Sequence, residues 1–196
     1  MRTISYCTGR EKKNRQLHVI VIYRKQRQIA SDTRKSMSKK PGSPERYDYE
    51  YVRKGKANIF VAVEFKTGKR ITRVTKRRTM KDFAMFVKEV FDRYLWERKL
   101  HIVLDNLNTY FAGSFEKTFG EEQAKSILQR IVFHYTPKHA SWLNVAEIEI
   151  NVMDIECTNR RFESFKSLDQ EVSAWTRRRN RDEQKIKWGF DRIKAG

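Results

Sequence analysis

The sequence is poor in cysteine, proline and acidic residues, and it has no long apolar run. Its 196 residues include 2 Cys and 3 Pro. Cys7 and Cys157 are too few for a disulfide framework and have no metal-ligand spacing, which suits a reducing cytosol. No apolar run approaches the roughly 20 residues of a membrane span, and the N-terminus lacks the apolar segment of a signal peptide. We therefore expect a cytoplasmic protein with no membrane partner.

The shortage of acids leaves the chain strongly basic. There are 43 Lys and Arg against 24 Asp and Glu, a formal net charge of +19. Such an excess favours a polyanionic partner, because each phosphate that is neutralised releases condensed counterions. Nucleic acid is the favoured partner, and an anionic membrane surface is the weaker alternative because no basic amphipathic helix with a clean apolar face is evident. The chain is also long enough to form one domain, and its 39% hydrophobic residues are enough to give that domain a core.

Hydrophobic patterning predicts an α/β fold with a mixed sheet flanked by helices. A hairpin comes first, and strands and helices then alternate before the chain ends in helices. Thr79 is positioned to cap the first helix. Strands are predicted at 17–23, 58–65, 69–77, 100–105 and 131–135, and helices after Thr79, near 121–130, from Ser141 to about Arg161 and at 167–181.

Two carboxylates stand out on this framework. Asp105 ends the apolar strand LHIVLD, at the strand end where open α/β sheets place their ligand sites. Glu147 lies on the helix that follows Ser141, in a polar stripe spaced by three and four residues. A solvated helix face explains that stripe equally well. If the two acids converge, however, they supply the hard oxygen ligands that Mg²⁺ needs for a reaction on a phosphodiester.

Several motifs occur together in a recognisable order. They are PGSPERYDYEYVRKGKANIFVAVEF, VLDNLNTY and FHYTPKHASWLNVAEIE. Over roughly residues 28–180 the chain resembles the catalytic domain of DDE-superfamily transposases, in the bacterial insertion-sequence branch related to mariner elements. The resemblance implies a ribonuclease H-like fold, a Mg²⁺ or Mn²⁺ cofactor, and DNA cleavage and strand transfer. It implies transposon ends and target DNA as partners, with a homodimer or an association with full-length transposase.

The resemblance assigns two catalytic and metal-binding residues. Asp105 matches the second catalytic aspartate of the family, and Glu147 matches its third acid. The interval between them is somewhat longer than is usual in the superfamily, so Glu149 is kept as a substitute for Glu147.

The first catalytic aspartate of the family is missing. Aligning the motif places Tyr23 and Arg24 where the family has Asp-Glu, and neither side chain ligates Mg²⁺ as a carboxylate does. Rescue by Asp32, Asp48 or Glu50 is disfavoured because these acids belong to other family positions. The helix-turn-helix region of such transposases is also missing. We therefore divide the chain into a basic segment, 1–27, that need not be native to the family, and an incomplete catalytic domain, 28–196.

Three histories explain the missing acid. The chain is a decayed or truncated transposase, the downstream product of a two-frame element, or a gene whose start is misassigned across a frameshift. The first and third are favoured because LHVIVIY still has the character of the expected strand.

Basic residues near these motifs are predicted to contact DNA. Lys138 and His139 precede the Glu147 helix, although an ordinary loop explains them equally well. Arg177, Arg178, Arg179 and Arg181 end the last helix, where a solvated face favoured by the helix dipole is the alternative.

The sequence thus predicts a DDE transposase domain with little or no strand-transfer activity of its own. The alternative is a non-catalytic, basic DNA-binding remnant.

Overall fold

The computed structural model describes residues 18–32, 51–64, 66–104, 113–135 and 145–183, with only the backbone of Asp32, of Tyr51 and of residues 145–147. Within these ranges the chain forms one five-stranded mixed sheet with helices on both faces. The strands are β1 (Val19–Asp32), β2 (Tyr51–Glu64), β3 (Arg70–Thr75), β4 (Leu100–Leu104) and β5 (Ile131–Tyr135). The helices are α1 (Met80–Asp92), α2 (Gly113–Phe119), α3 (Glu121–Leu128), α4 (Val145–Met153) and α5 (Phe165–Arg181), with a π-helical turn at Asp154–Thr158 after α4.

The strand order is β3-β2-β1-β4-β5. The first three strands are antiparallel neighbours, whereas β1, β4 and β5 run parallel. The chain therefore makes a meander, then a helical crossover through α1, and then a second crossover through α2 and α3. The carboxyl ends of β1, β4 and β5 point toward the same edge of the sheet, where parallel α/β sheets place ligand sites.

Each face of the sheet has its own hydrophobic core. On one face, Ile20, Ile22 and Ile102 pack against α1, α2 and α3. On the other, Val21, Tyr23 and Ile59 pack against the end of α4, the π-helical turn and α5. Residues of β1 alternate between the two cores because successive side chains of a strand point to opposite faces.

The predicted hairpin and first helix are confirmed. β2 and β3 pair around a turn in which Gly68, at φ 73°, takes the left-handed backbone that glycine adopts without strain. Its amide donates to the Glu64 carbonyl over 2.8 Å. Thr79 caps α1: its hydroxyl accepts from the Asp82 amide over 3.1 Å while the Asp82 carboxylate accepts from the Thr79 amide over 2.9 Å.

Several predicted boundaries were wrong. β2 was expected to begin at residue 58 but begins at Tyr51. β1 was expected to end at residue 23 but continues to Asp32, because its polar half pairs with β2. The segment before α3 was expected to be a loop but contains α2, whose Phe115 is buried. The helix from Ser141 was expected to stay α-helical to about Arg161, yet α4 ends at Met153 and gives way to the π-helical turn. In the described ranges, no helix is both long and apolar enough to span a bilayer.

Candidate active site

The sheet register brings the first-acid position next to the strand that leads to Asp105. β1 and β4 pair in parallel from Val19 and His101 to Ile22 and Leu104. Tyr23 is the next residue of β1, and Asp105 is the next residue of the chain after Leu104. Asp105 itself lies outside the described residues, as do Lys138 and His139. The register therefore puts Tyr23 one residue beyond the last β1–β4 pair, while its match to the family's first acid stays a prediction.

Tyr23 is a buried neutral phenol. The residue is 5% exposed and packs in the core on the α5 face. Burial raises the pKa of Tyr23 well above its ordinary value; the charge of Glu149 adds to that rise, and the charge of Arg70 opposes it. Its hydroxyl has no hydrogen-bond partner among the described residues. A protonated phenol is not the carboxylate that Mg²⁺ prefers, so position 23 does not fit a metal ligand.

The neighbours of Tyr23 on β1 offer no carboxylate either. Arg24 donates to Oδ1 of Asn58 over 3.5 Å. Lys25 and Arg27 bind the carboxylate of Asp154 in the π-helical turn. Asp32 is at the far end of β1, nine residues from Tyr23, which is about 30 Å along a strand. Asp32 therefore cannot replace the missing acid at the β4 edge.

The helix α4 includes Glu147 and Glu149, but the structure describes only the second side chain. Glu149 is 1% exposed and binds Arg70 of β3, which is equally buried. A carboxylate that is sealed in an ion pair is not available to a metal ion, so the structure argues against Glu149 as a substitute. Glu147 lies on the helical backbone of α4, and its side chain is outside the described residues.

The Arg70–Glu149 pair lies in a network of polar contacts between β3, α4 and α5. Arg70 also donates from Nη1 to the Gly68 carbonyl over 2.5 Å, and its guanidinium carbon lies 6.0 Å from the Trp175 ring centroid. Asn180 bonds both backbone groups of Arg70, accepting from its amide and donating to its carbonyl over 2.8 Å each. The network holds α4 against the sheet two residues from Glu147.

The basic end of α5 divides into two kinds of residue. Arg177, Arg178 and Arg181 are exposed. Arg179 instead faces inward, where its Nη1 lies 3.1 Å from Oε1 of Glu156 and its Nη2 3.9 Å from Oε1 of Glu149. DNA contact by the four arginines stays a prediction, but Arg179 already has two carboxylate neighbours.

Within the described ranges, no three His, Cys, Asp or Glu side chains are grouped so that they could hold a metal ion. Both remaining acids of the predicted site, Asp105 and Glu147, have side chains outside that description. What the structure does describe of the site is Tyr23, which does not fit.

Comparison with known families settles the membership of the chain. The family model described as DDE superfamily endonuclease matches residues 24–169, well over half of the sequence. The chain belongs to the DDE superfamily endonucleases. The match begins at Arg24, the residue after Tyr23. A search of curated proteins gave no match.

Solved structures show the fold of this DDE endonuclease domain. The Mos1 transposase paired-end complex with the left transposon end superposes with a TM-score of 0.53 at 14% identity, covering 81% of this chain and 47% of that one. The Mos1 mariner paired-end complexes with Mn and with Mg both give 0.52, at 12% and 13% identity, covering 84% and 86% of this chain. They are covered over 49% and 50% of their own length. The fold is ribonuclease H-like, as expected, and the chain spans about half the length of these transposases.

Proposed function

We propose that this DDE endonuclease domain is the catalytic part of an insertion-sequence transposase, and that the chain as it stands is impaired in DNA cleavage and strand transfer. Its substrate would be DNA, at transposon ends and target, with Mg²⁺ or Mn²⁺ as cofactor. Support comes from the family match and from Mos1 neighbours whose complexes contain a transposon end, Mn or Mg. Asp105 and Glu147 are the two residues proposed to hold the metal.

The proposed loss of activity rests on the side chain at position 23, which is tyrosine. In DDE enzymes three carboxylates ligate the divalent ions. The ions stabilise the attacking and leaving oxygens of the phosphodiester. Tyr23 adjoins the last β1–β4 pair and presents a neutral, buried phenol. With two carboxylates in place of three, the site would hold and position a divalent ion more weakly, so we expect little or no strand transfer from this chain.

The test compares Tyr23→Asp with Tyr23→Asn. The asparagine side chain has the same size as aspartate but carries no charge. Each purified protein is incubated with supercoiled plasmid and with a duplex carrying the inverted repeat of the encoding element, in Mg²⁺ and in Mn²⁺. We expect metal-dependent nicking from Tyr23→Asp alone, and its loss in the double variant with Asp105→Asn. Metal-dependent cleavage by the unchanged chain, abolished by Asp105→Asn, would show that the chain is not impaired.

A second candidate is a non-catalytic DNA-binding remnant. The formal charge of +19 and the buried Tyr23 favour it. It predicts salt-dependent DNA binding that neither Mg²⁺ nor the changes Asp105→Asn and Glu147→Gln affect. Calorimetric titration with Mn²⁺ separates the candidates, because a restorable site binds the ion more tightly in Tyr23→Asp than in Tyr23→Asn. Equal Mn²⁺ binding by both variants, without nicking by either, would support the remnant.

A further inference from the structure

The strands β1 and β2 extend well past the rest of the sheet as a two-stranded ribbon. β4 pairs with β1 only as far as Ile22, and β3 pairs with β2 only over Asn58–Val63. β1 and β2 nevertheless stay paired to Asp32 and Tyr51. Because β1 runs parallel to β4, the ribbon projects from the edge of the sheet where β4 ends and Asp105 follows. It starts beside the candidate active site and leads away from it.

One edge of the ribbon is covered and the other is open. The Ala30 amide donates to the Phe162 carbonyl over 2.9 Å, and Ile29 and Ala30 of β1 are buried. On β2, by contrast, residues 52–56 are exposed without interruption, and no described strand pairs with their outer side. A strand that alternates between buried and exposed residues would not show such a run. This part of β2 therefore faces solvent broadly.

The open strand is basic and interrupted by a β-bulge. Its sequence YVRKGKA contains Arg53, Lys54 and Lys56 and no acid. The register skips Lys54: Gly55 pairs with Ile29 and Arg53 with Ala30. Gly55 has φ 142°, in the region that favours glycine. Bulges twist the edge of a sheet and redirect side chains, so Lys54 is the extra residue at this bend.

From this geometry we propose that the open edge of the ribbon binds the phosphate backbone of double-stranded DNA, with Lys54 and Lys56 as its contacts. This inference rests on the proposed function, because it places the duplex across the candidate active site. Lys56 pairs with Gln28, five residues beyond Tyr23, which is about 17 Å along the strand. A duplex at the site would carry several phosphates over that span, since B-DNA presents about one charge per 1.7 Å of axis. The nearby cations Lys25 and Arg27 are already bound to Asp154, which leaves the β2 lysines to meet the duplex.

Exposed lysines on an edge strand have a simpler explanation, which the experiment must separate. Lysine and bulges both discourage edge-to-edge pairing between sheets. If protection is their only role, neutral variants will self-associate more but will bind DNA as before.

The experiment measures duplex binding by fluorescence anisotropy across a salt series, with the full chain and a random-sequence duplex. The ribbon variant is Lys54→Gln with Lys56→Gln. Its matched control is Lys117→Gln with Lys125→Gln. These changes remove two exposed lysines from α2 and α3, which pack with α1 on one face of the sheet, away from the ribbon edge. Each lost phosphate contact lowers the magnitude of the slope of log K against log salt by about 0.9. We expect a fall of about 2 for the ribbon variant and less than about 0.5 for the control.

Equal slopes in the two variants would overturn the proposal, because only overall charge would then matter. An unchanged slope with increased self-association on size-exclusion chromatography would also overturn it, in favour of edge protection. If the unchanged chain does not bind the duplex at all, the proposed function fails as well. Binding by the unchanged chain with no effect of the ribbon variant defeats the ribbon proposal alone.

Discussion

Arg70 and Glu149 form an ion pair from which solvent is excluded, with side-chain exposures of 0% and 2%. The two residues are 79 positions apart in sequence, and their pairing ties the edge strand β3 to α4. Desolvating two charges is costly, and the cost is recovered only when the remaining donors and acceptors are also satisfied. Here Arg70 also donates to the Gly68 carbonyl, and Arg179 brings a second cation near Glu149.

Removing one charge of this pair should destabilise the domain strongly. In Glu149→Gln the guanidinium of Arg70 stays buried without its anion, for which we expect a loss of about 3–5 kcal/mol in the free energy of unfolding. Urea denaturation followed by circular dichroism measures it. Replacing both partners, as Arg70→Met with Glu149→Leu, should cost much less, because no uncompensated charge remains. If the double variant is as unstable as Glu149→Gln, packing rather than charge explains the loss.

The hydroxyl of Tyr23 should destabilise the folded state. It is buried, and none of the described residues bonds it, so Tyr23→Phe should raise the free energy of unfolding by about 1–3 kcal/mol. Tyr94→Phe is the matched control, because the Tyr94 hydroxyl donates to Oε2 of Glu64 over 3.1 Å. That change should lower stability by about 1–2 kcal/mol. A loss of stability in Tyr23→Phe would reveal a partner for its hydroxyl.

Cys157 should make the domain sensitive to alkali. Burial raises the pKa of Cys157 from 9.0 to about 11, chiefly by desolvating the thiolate. Between these values the unfolded thiol has lost its proton while the folded thiol keeps it. Unfolding therefore releases a proton, and stability falls as pH rises from about 9 to about 11, at up to roughly 1.4 kcal/mol per pH unit.

The variants Cys157→Ala and Cys157→Ser test this contribution. Neither replacement titrates, so both should flatten the dependence of the urea midpoint on pH between 9 and 11 by the same amount, whatever they cost in packing. Profiles parallel to that of the unchanged chain would mean that the thiol ionises equally in both states.

Local sequence signals predicted the parts of the fold that local physics determines. The cap at Thr79 and the apolar spacing of α1 are readable in a few residues, and β5 was predicted with its observed bounds. The second half of β1 was not predictable, because its sequence RKQRQIASD lacks apolar alternation and becomes a strand through pairing with β2. The π-helical turn also has distant partners that its own sequence does not reveal, since Asp154 binds Lys25 and Arg27 across more than 120 positions.

The site shows the same division. The motif order was enough to predict Asp105 and Glu147, whose side chains lie outside the described residues, and to notice that Tyr23 stands where an acid is expected. It gave no sign that Glu149, two residues from Glu147, belongs to a buried pair, because spacing along a helix does not identify a partner on β3. The ribbon cations stand in the acid-free run YVRKGKA, which the sequence analysis did not single out, because their exposure follows from where β3 stops pairing.

Substitutions at two adjacent arginines of α5 should have different effects: one on the stability of the domain, the other on DNA binding. Arg179 is 13% exposed and lies beside Glu156 and Glu149, so Arg179→Ala should cost about 1–2 kcal/mol of unfolding free energy. Arg178 is exposed, and Arg178→Ala should change stability by less than about 0.5 kcal/mol. If Arg178 contacts a phosphate, its loss should lower the magnitude of the salt slope of DNA binding by about 0.9. Urea midpoints and anisotropy titrations on the two variants measure both effects. An unstable Arg178→Ala, or an Arg179→Ala as stable as the unchanged chain, would contradict the assignment of Arg179 as the structural member of the cluster.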